Sequence, residues 1–159
     1  MSPEPRAAHE HPWKLSDIVL FPALGVAIAL EWFWPTQIFG FPSWVGIALG
    51  LIICFGGAMM ISWAKRSLAA FDQPNLPGIP TTQLVTDGAF RVSRNPNYLG
   101  AIAIAFGSGF IVDSIWFLAV AGLSAIILDR LFIAPEERYL SMRFQNDYAT
   151  YCRRVRRWI

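Results

Sequence analysis

Four apolar runs constrain this chain more than anything else in it: Ile18–Trp34, Pro42–Trp63, Tyr98–Val112 and Ser114–Ala134. A helix crosses the hydrocarbon of a bilayer with about 17–25 mostly apolar residues. The first, second and fourth runs reach that length. The third has 15 residues and reaches it when its helix starts near Pro96. Spans are therefore expected at about 17–34, 42–63, 96–112 and 114–134. Only Asp113 separates the last two runs, so they are expected to form a tight helical hairpin. Charged residues make up 15% of the chain, against roughly 25% in soluble domains. A length of 159 residues suits one domain. The first run does not read as a cleavable signal peptide, because it lacks a strong basic flank and a small-residue cleavage pattern.

The net charge of +2 gives no ground for a nucleic-acid partner. The placement of the charge is more informative. All 13 Lys and Arg fall in 1–17, 64–97 and 129–159, and with four spans these stretches share one side of the bilayer. The connections at Thr36–Phe41 and Asp113–Ser114 carry none. Basic residues favour the cytoplasmic side, so both termini are expected there.

Within the runs, few polar residues stand out. Glu31 is flanked by Trp32 and Trp34, which mark an interface belt, and is expected at headgroup level. Gly46, Gly50, Gly56 and Gly57 are expected to let the second span pack closely on a neighbour. Cys54 and Cys152 cannot pair in this topology. His9 and His11, two residues apart in a proline-containing terminus, do not read as a metal site.

The connection at 64–97 contains Pro74, Pro77, Pro80 and Pro96. Its stretch "TTQLVTDGAF" carries Leu84, Val85, Ala89 and Phe90 around an Asp87–Gly88 turn signal, so it is expected to fold back over the helix ends. The tail at 136–157 places Leu140, Phe144, Tyr148, Tyr151 and Val155 on one helical stripe, surrounded by Arg138, Arg143, Arg153, Arg154, Arg156 and Arg157. It could lie on an anionic membrane surface, pack on the helix ends, or both.

Two features could carry chemistry. In "RNPNYLG" at 94–100, Asn95 suits a helix N-cap and Pro96 the first helical position. A helix starting there presents free N–H groups and a positive dipole end, which suit a carboxylate or phosphate as well as simple capping. Glu136 and Glu137 follow the fourth run directly. They could cap a tail helix or hold an ammonium group. The hairpin brings Tyr98 and Ala134 together, so helix start, tyrosine and glutamates converge. A ligand with a carboxylate, an ammonium and an aromatic base matches them, and S-adenosylmethionine is such a ligand.

"LVTDGAFRVSRNPNYLG", then a hairpin, then "EERYLSMRFQNDYATYCRRV" resembles the isoprenylcysteine carboxyl methyltransferase family and its phospholipid-methyltransferase relatives. The likeness covers 76–157 and the general layout of spans. It implies an all-α integral membrane enzyme with four transmembrane helices, whose cytoplasmic connection and C-terminal amphipathic helix cover a pocket for S-adenosylmethionine. One domain over 1–159 is expected, with cofactor-binding segments at 76–100 and 130–157. The family's cofactor contacts carry over to Gln83, Leu84, Val85, Gly88, Phe90, Arg94, Asn95, Pro96, Asn97, Tyr98, Gly100, Glu136 and Glu137. Phe90 stands where the family often has tyrosine, and Asn95 where it often has histidine. The prenylcysteine enzymes have an arginine four positions before the first glutamate. Phe132 occupies that place here, with Arg130 two residues earlier, about 200° round a helix. Arg130 and Asn95 are what is left as catalytic candidates.

The expected reaction is methyl transfer to a lipophilic acceptor that arrives from the bilayer, with no metal and no evident general base. Two alternatives are weighed with it. The carboxyl-terminal part of sterol reductases resembles R-x-P-N-Y-L-G with a Y-C-x-x-V tail, which implies NADPH. A non-catalytic membrane scaffold is the other.

Overall fold

A computed structural model describes residues 17–38, 43–73 and 82–159. The histidines at 9 and 11 and the prolines at 74, 77 and 80 lie outside the described residues. The described residues are helical, with no strand among them. The helices are α1 (Asp17–Phe33), α2 (Ser43–Ala69), α3 (Pro96–Val112), α4 (Ile115–Leu128) and α5 (Ala134–Arg154), with a 3-10 turn at Gly88–Arg91. Two helices are long and apolar enough to cross a membrane, Trp44–Ala69 and the continuous stretch Ile115–Arg154. Ile18–Phe33 and Pro96–Val112 are shorter apolar helices. Phe21, Val26, Ile52, Phe55, Leu123 and Ile126 all point outward, as side chains do on helices that are apolar all round.

α2 and α3 pack closest, and their glycines explain it. A Cβ on Gly50 would lie 2.5 Å from the Gly107 carbonyl oxygen, and one on Gly57 would lie 2.6 Å from that of Gly100. Both pairs are reciprocal, so backbone meets backbone along this seam. Gly46 faces Phe110 on the same stripe, whereas Gly56 faces open space. α4 packs on α3, and α1 on α4.

α3 ends at Asp113 in the left-handed conformation (φ 57°), and Ser114 N donates to the Gly109 carbonyl. This is the expected tight hairpin. Glu31 is bonded into this end of the fold. Its carboxylate accepts from Thr36 N at 2.8 Å, from the Thr36 hydroxyl and from the Ser114 hydroxyl, so it ties the end of α1 to the hairpin tip. The Trp116 indole donates to the Trp34 carbonyl beside it.

At the other pole two boundaries differ from expectation. α2 continues past Trp63 to Ala69, carrying Ser67 and Leu68 beyond the apolar run. α4 does not stop before Pro135. A π-turn at Asp129–Ile133, in which Ala134 N donates to the Asp129 carbonyl, joins α4 to α5. Proline lacks the N–H of the normal ladder, and a π-bulge one residue earlier lets the helix run on. The glutamates therefore have no helix start to cap. α5 itself breaks at Gln145 (φ 41°, ψ −111°). Beyond it Tyr148, Tyr151 and Val155 form a buried cluster, with Leu84 and Phe90 of the connection packed against it. That part of the stripe is covered by the protein's own connection. Arg138, Arg143, Arg153, Arg154 and Arg156 are exposed, but Arg157 turns inward.

Candidate functional site

The described part of the connection, 82–95, folds back over the end of α2. Gly88 has φ 64°, and any side chain there would strike Ser67. The Ser67 hydroxyl accepts from Ala89 N at 3.2 Å and donates to the Trp63 carbonyl. Gln73 is buried, and its carbonyl oxygen accepts from Thr82 N at 2.9 Å and Gln83 N at 3.2 Å. The Tyr151 hydroxyl donates to the Phe90 carbonyl at 2.7 Å. Residues 83–90 are thus held between α2 and α5.

Ser93 and Asn95 lead into α3, and Pro96 is its first residue. Asn95 does not cap: its side chain makes no capping bond and faces inward, with Nδ2 3.4 Å from both Glu137 Oε1 and the Arg157 carbonyl. The first turn of α3 is left without a side-chain cap.

The adjacent glutamates have different surroundings. Glu137 is ion-paired twice, with Arg94 Nη2 at 3.1 Å from Oε1 and Arg157 Nη2 at 2.6 Å from Oε2. Arg157 also reaches Asp129 at 3.1 Å, and its bond to Glu137 raises an already high pKa. Glu136 meets no cation among the described residues. The Tyr98 hydroxyl donates to its Oε2 at 3.2 Å. Burial pushes its carboxyl up from 4.5 to about 7, with the charge of Glu137 adding to the effect and the Tyr98 bond opposing it.

These groups surround a hollow of about 120 Å³. Gln83, Leu84, Val85 and Phe90 form one wall, Arg94, Asn95, Pro96, Asn97 and Tyr98 a second, and Glu136 with Glu137 a third. Leu68, Gln73, Leu140, Tyr148 and Tyr151 complete it, none of which the sequence marks as a site residue. Gly88 and Gly100 lie off the hollow, Gly88 in its turn against Ser67 and Gly100 in the α2–α3 seam. Arg130 lies off it too: its side chain is 80% exposed and pairs only loosely with Asp129, 3.8 Å away. Phe132 is buried with Ile102 and Leu128.

The hollow has the chemistry of a polar ligand site. Arg94 Nε and Asn97 Oδ1 are buried on its walls without a hydrogen-bond partner among the described residues. Such atoms are costly to leave unsatisfied, and both belong to residues that line the hollow. Burial also raises the Tyr148 and Tyr151 phenols, so both stay protonated. Apolar and aromatic faces at Leu84, Phe90, Tyr148 and Tyr151 suit a flat base. No cluster suited to a metal ion occurs among the described residues.

Comparison with known proteins gives a family match. The family model for phospholipid methyltransferase matches residues 45–147, nearly two thirds of the chain. No curated protein and no solved structure matches it. The matched segment runs from α2 through both glutamates, so it includes three walls of the hollow, and on this extent of agreement the chain belongs to the phospholipid methyltransferase family of membrane methyltransferases.

Proposed function

We propose that the protein transfers a methyl group from S-adenosylmethionine to a lipophilic acceptor drawn from the bilayer. The observation that carries this reading is a half-buried carboxylate, Glu136, that meets no cation among the described residues, in a hollow lined by polar and aromatic side chains. Glu136 holds the ammonium group. The uncapped first turn of α3, with Arg94 beside it, takes the carboxylate. Leu84, Phe90, Tyr148 and Tyr151 enclose the base, and Gln83 and Asn97 supply polar contacts. The cofactor supplies a methyl group already activated on its sulfonium. The chain's contribution is to orient both partners and exclude water, and orientation alone can lower a barrier by about 7–11 kcal/mol at best.

In this reading the chain is one domain over 1–159 with four spans, near 17–34, 42–63, 96–112 and 114–134, and both termini cytoplasmic. α1 and α3 are short enough to span only with little tilt. A second, apolar hollow of about 220 Å³ is lined by Leu20, Leu24, Ile61, Ala101, Ala105 and Phe117, among others. It follows the faces that line the first: Ile61 lies two turns from Leu68 on α2, and Ala101 about one turn from Tyr98 on α3. It suits the acceptor's hydrocarbon chain.

Methyl-labelled S-adenosylmethionine, incubated with the purified protein and a total lipid extract, tests the reading. Label is expected in a lipid-soluble product, and Glu136→Ala is expected to remove most of it. Label that never enters the lipid fraction contradicts the proposed acceptor class.

A further inference from the structure

The segment Val155–Ile159 follows the matched part of the family, yet it is built into the site. Arg94 N donates to the Arg156 carbonyl at 3.1 Å, and the Ser93 hydroxyl donates to the Arg157 carbonyl at 3.0 Å. The Arg157 guanidinium then spans two elements. It bonds Glu137 at the start of α5 through Nε and Nη2, and Asp129 in the π-turn through Nη1. A planar fork can hold two carboxylates at once in this way, whereas a lysine ammonium is a single point.

We infer that Arg157 is a positioning residue: by clasping Glu137 to Asp129 it engages one of the two adjacent carboxylates on the hollow's wall and leaves Glu136 to face a cationic ligand group. The inference rests on the reading that Glu136 takes the ammonium. The groups that bear on Glu136 are Tyr98 from α3, Glu137 beside it and, through Glu137, Arg94 and Arg157, with Asp129 behind them. Without Arg157, Glu137 keeps Arg94 and the neutral Asn95 amide, and its less compensated charge makes Glu136 harder to ionise. Binding of a cationic group then needs a higher pH.

The test is calorimetric titration of S-adenosylhomocysteine into full-length protein in detergent, from about pH 5.5 to about pH 9. Wild type is compared with Arg157→Gln, Arg157→Lys and the double variant Arg157→Gln/Glu137→Gln, with helical content checked by circular dichroism. Arg157→Gln is expected to bind about tenfold more weakly at neutral pH, with the midpoint of its pH dependence moved up by about 1. The double variant is expected to bring that midpoint back towards wild type, a recovery that mere loosening of the fold does not produce. Arg157→Lys is expected to keep the wild-type midpoint but lose several-fold in affinity. An Arg157→Gln variant with wild-type affinity and midpoint overturns the inference, and so does an equal loss at every pH. Should Arg157→Gln lose its helical signal, Arg157→Lys decides, and unchanged affinity there refutes the clasp. A wild-type protein that binds nothing instead sinks the reading of Glu136.

Discussion

In the proposed function Glu136 is the residue on which ligand binding turns, and its two states have opposite uses. Neutral, it is at ease in a buried wall; ionised, it suits an ammonium. Its carboxyl titrates near 7 in the folded protein and near 4.5 ordinarily, so between those values the folded chain holds more protons than the unfolded one. The stability this provides is complete below about 4.5 and is lost as the pH rises through about 7. In the unliganded protein, melting temperature is expected to fall by roughly 5 °C between pH 5 and pH 8. Glu136→Gln should flatten this dependence; an unchanged slope in that variant contradicts the assignment. Ligand affinity should run the other way and strengthen as the pH rises through about 7. At this scale the sequence was legible where family pattern dictates a position, as for Tyr98 and Glu136, which meet on the wall of the hollow. Asn95 stands at the expected N-cap position, but its side chain makes no capping bond, because its amide meets Glu137 and the Arg157 carbonyl, both far along the chain. The sequence groups Arg157 with five other arginines round a helical stripe, because nothing in that stripe over 136–157 records that the helix ends at Arg154, with Val155 extended.

Among the elements, the α2–α3 seam holds the site's frame. Gly50, Gly57, Gly100 and Gly107 let the two backbones touch, and α3 in turn presents Tyr98 and Asn97 to the hollow. Gly57→Leu should force the helices apart at a cost of about 1–3 kcal/mol. Loss of ligand affinity should accompany the loss of thermal stability. Gly56→Leu, one residue away and facing open space, should leave both nearly unchanged. Equal damage from the two variants would show that the seam is not where the structure has it. The apolar runs revealed these helices well, since length and composition are local properties. The end of α2 was not legible, because Ser67 and Leu68 belong to the helix through contacts with the connection. The continuity through Pro135 was not legible either, because proline marks a break unless the ladder shifts by one residue, as it does at the π-turn.

At the scale of the whole molecule, the two poles differ. One is a tied loop at Glu31, Thr36 and Ser114 without a basic residue, and the other gathers the basic segments and the hollow. The proposed topology puts the second pole in the cytoplasm. Arg154→Cys, at an exposed position, should react with a membrane-impermeant maleimide in inverted vesicles and stay unlabelled in intact cells, and the reverse pattern would invert the topology. That the connection and the tail meet on one hollow was foreseeable from the hairpin, which fixes where Tyr98 and Ala134 lie relative to each other. The central claim is that this hollow is a site for S-adenosylmethionine. Calorimetry on the purified protein at about pH 8, titrating S-adenosylhomocysteine and NADPH in parallel, tests it most directly. The account predicts saturable one-site binding of S-adenosylhomocysteine, at least tenfold weaker in Glu136→Ala, and no binding of NADPH. Binding of NADPH alone, or of neither, contradicts it.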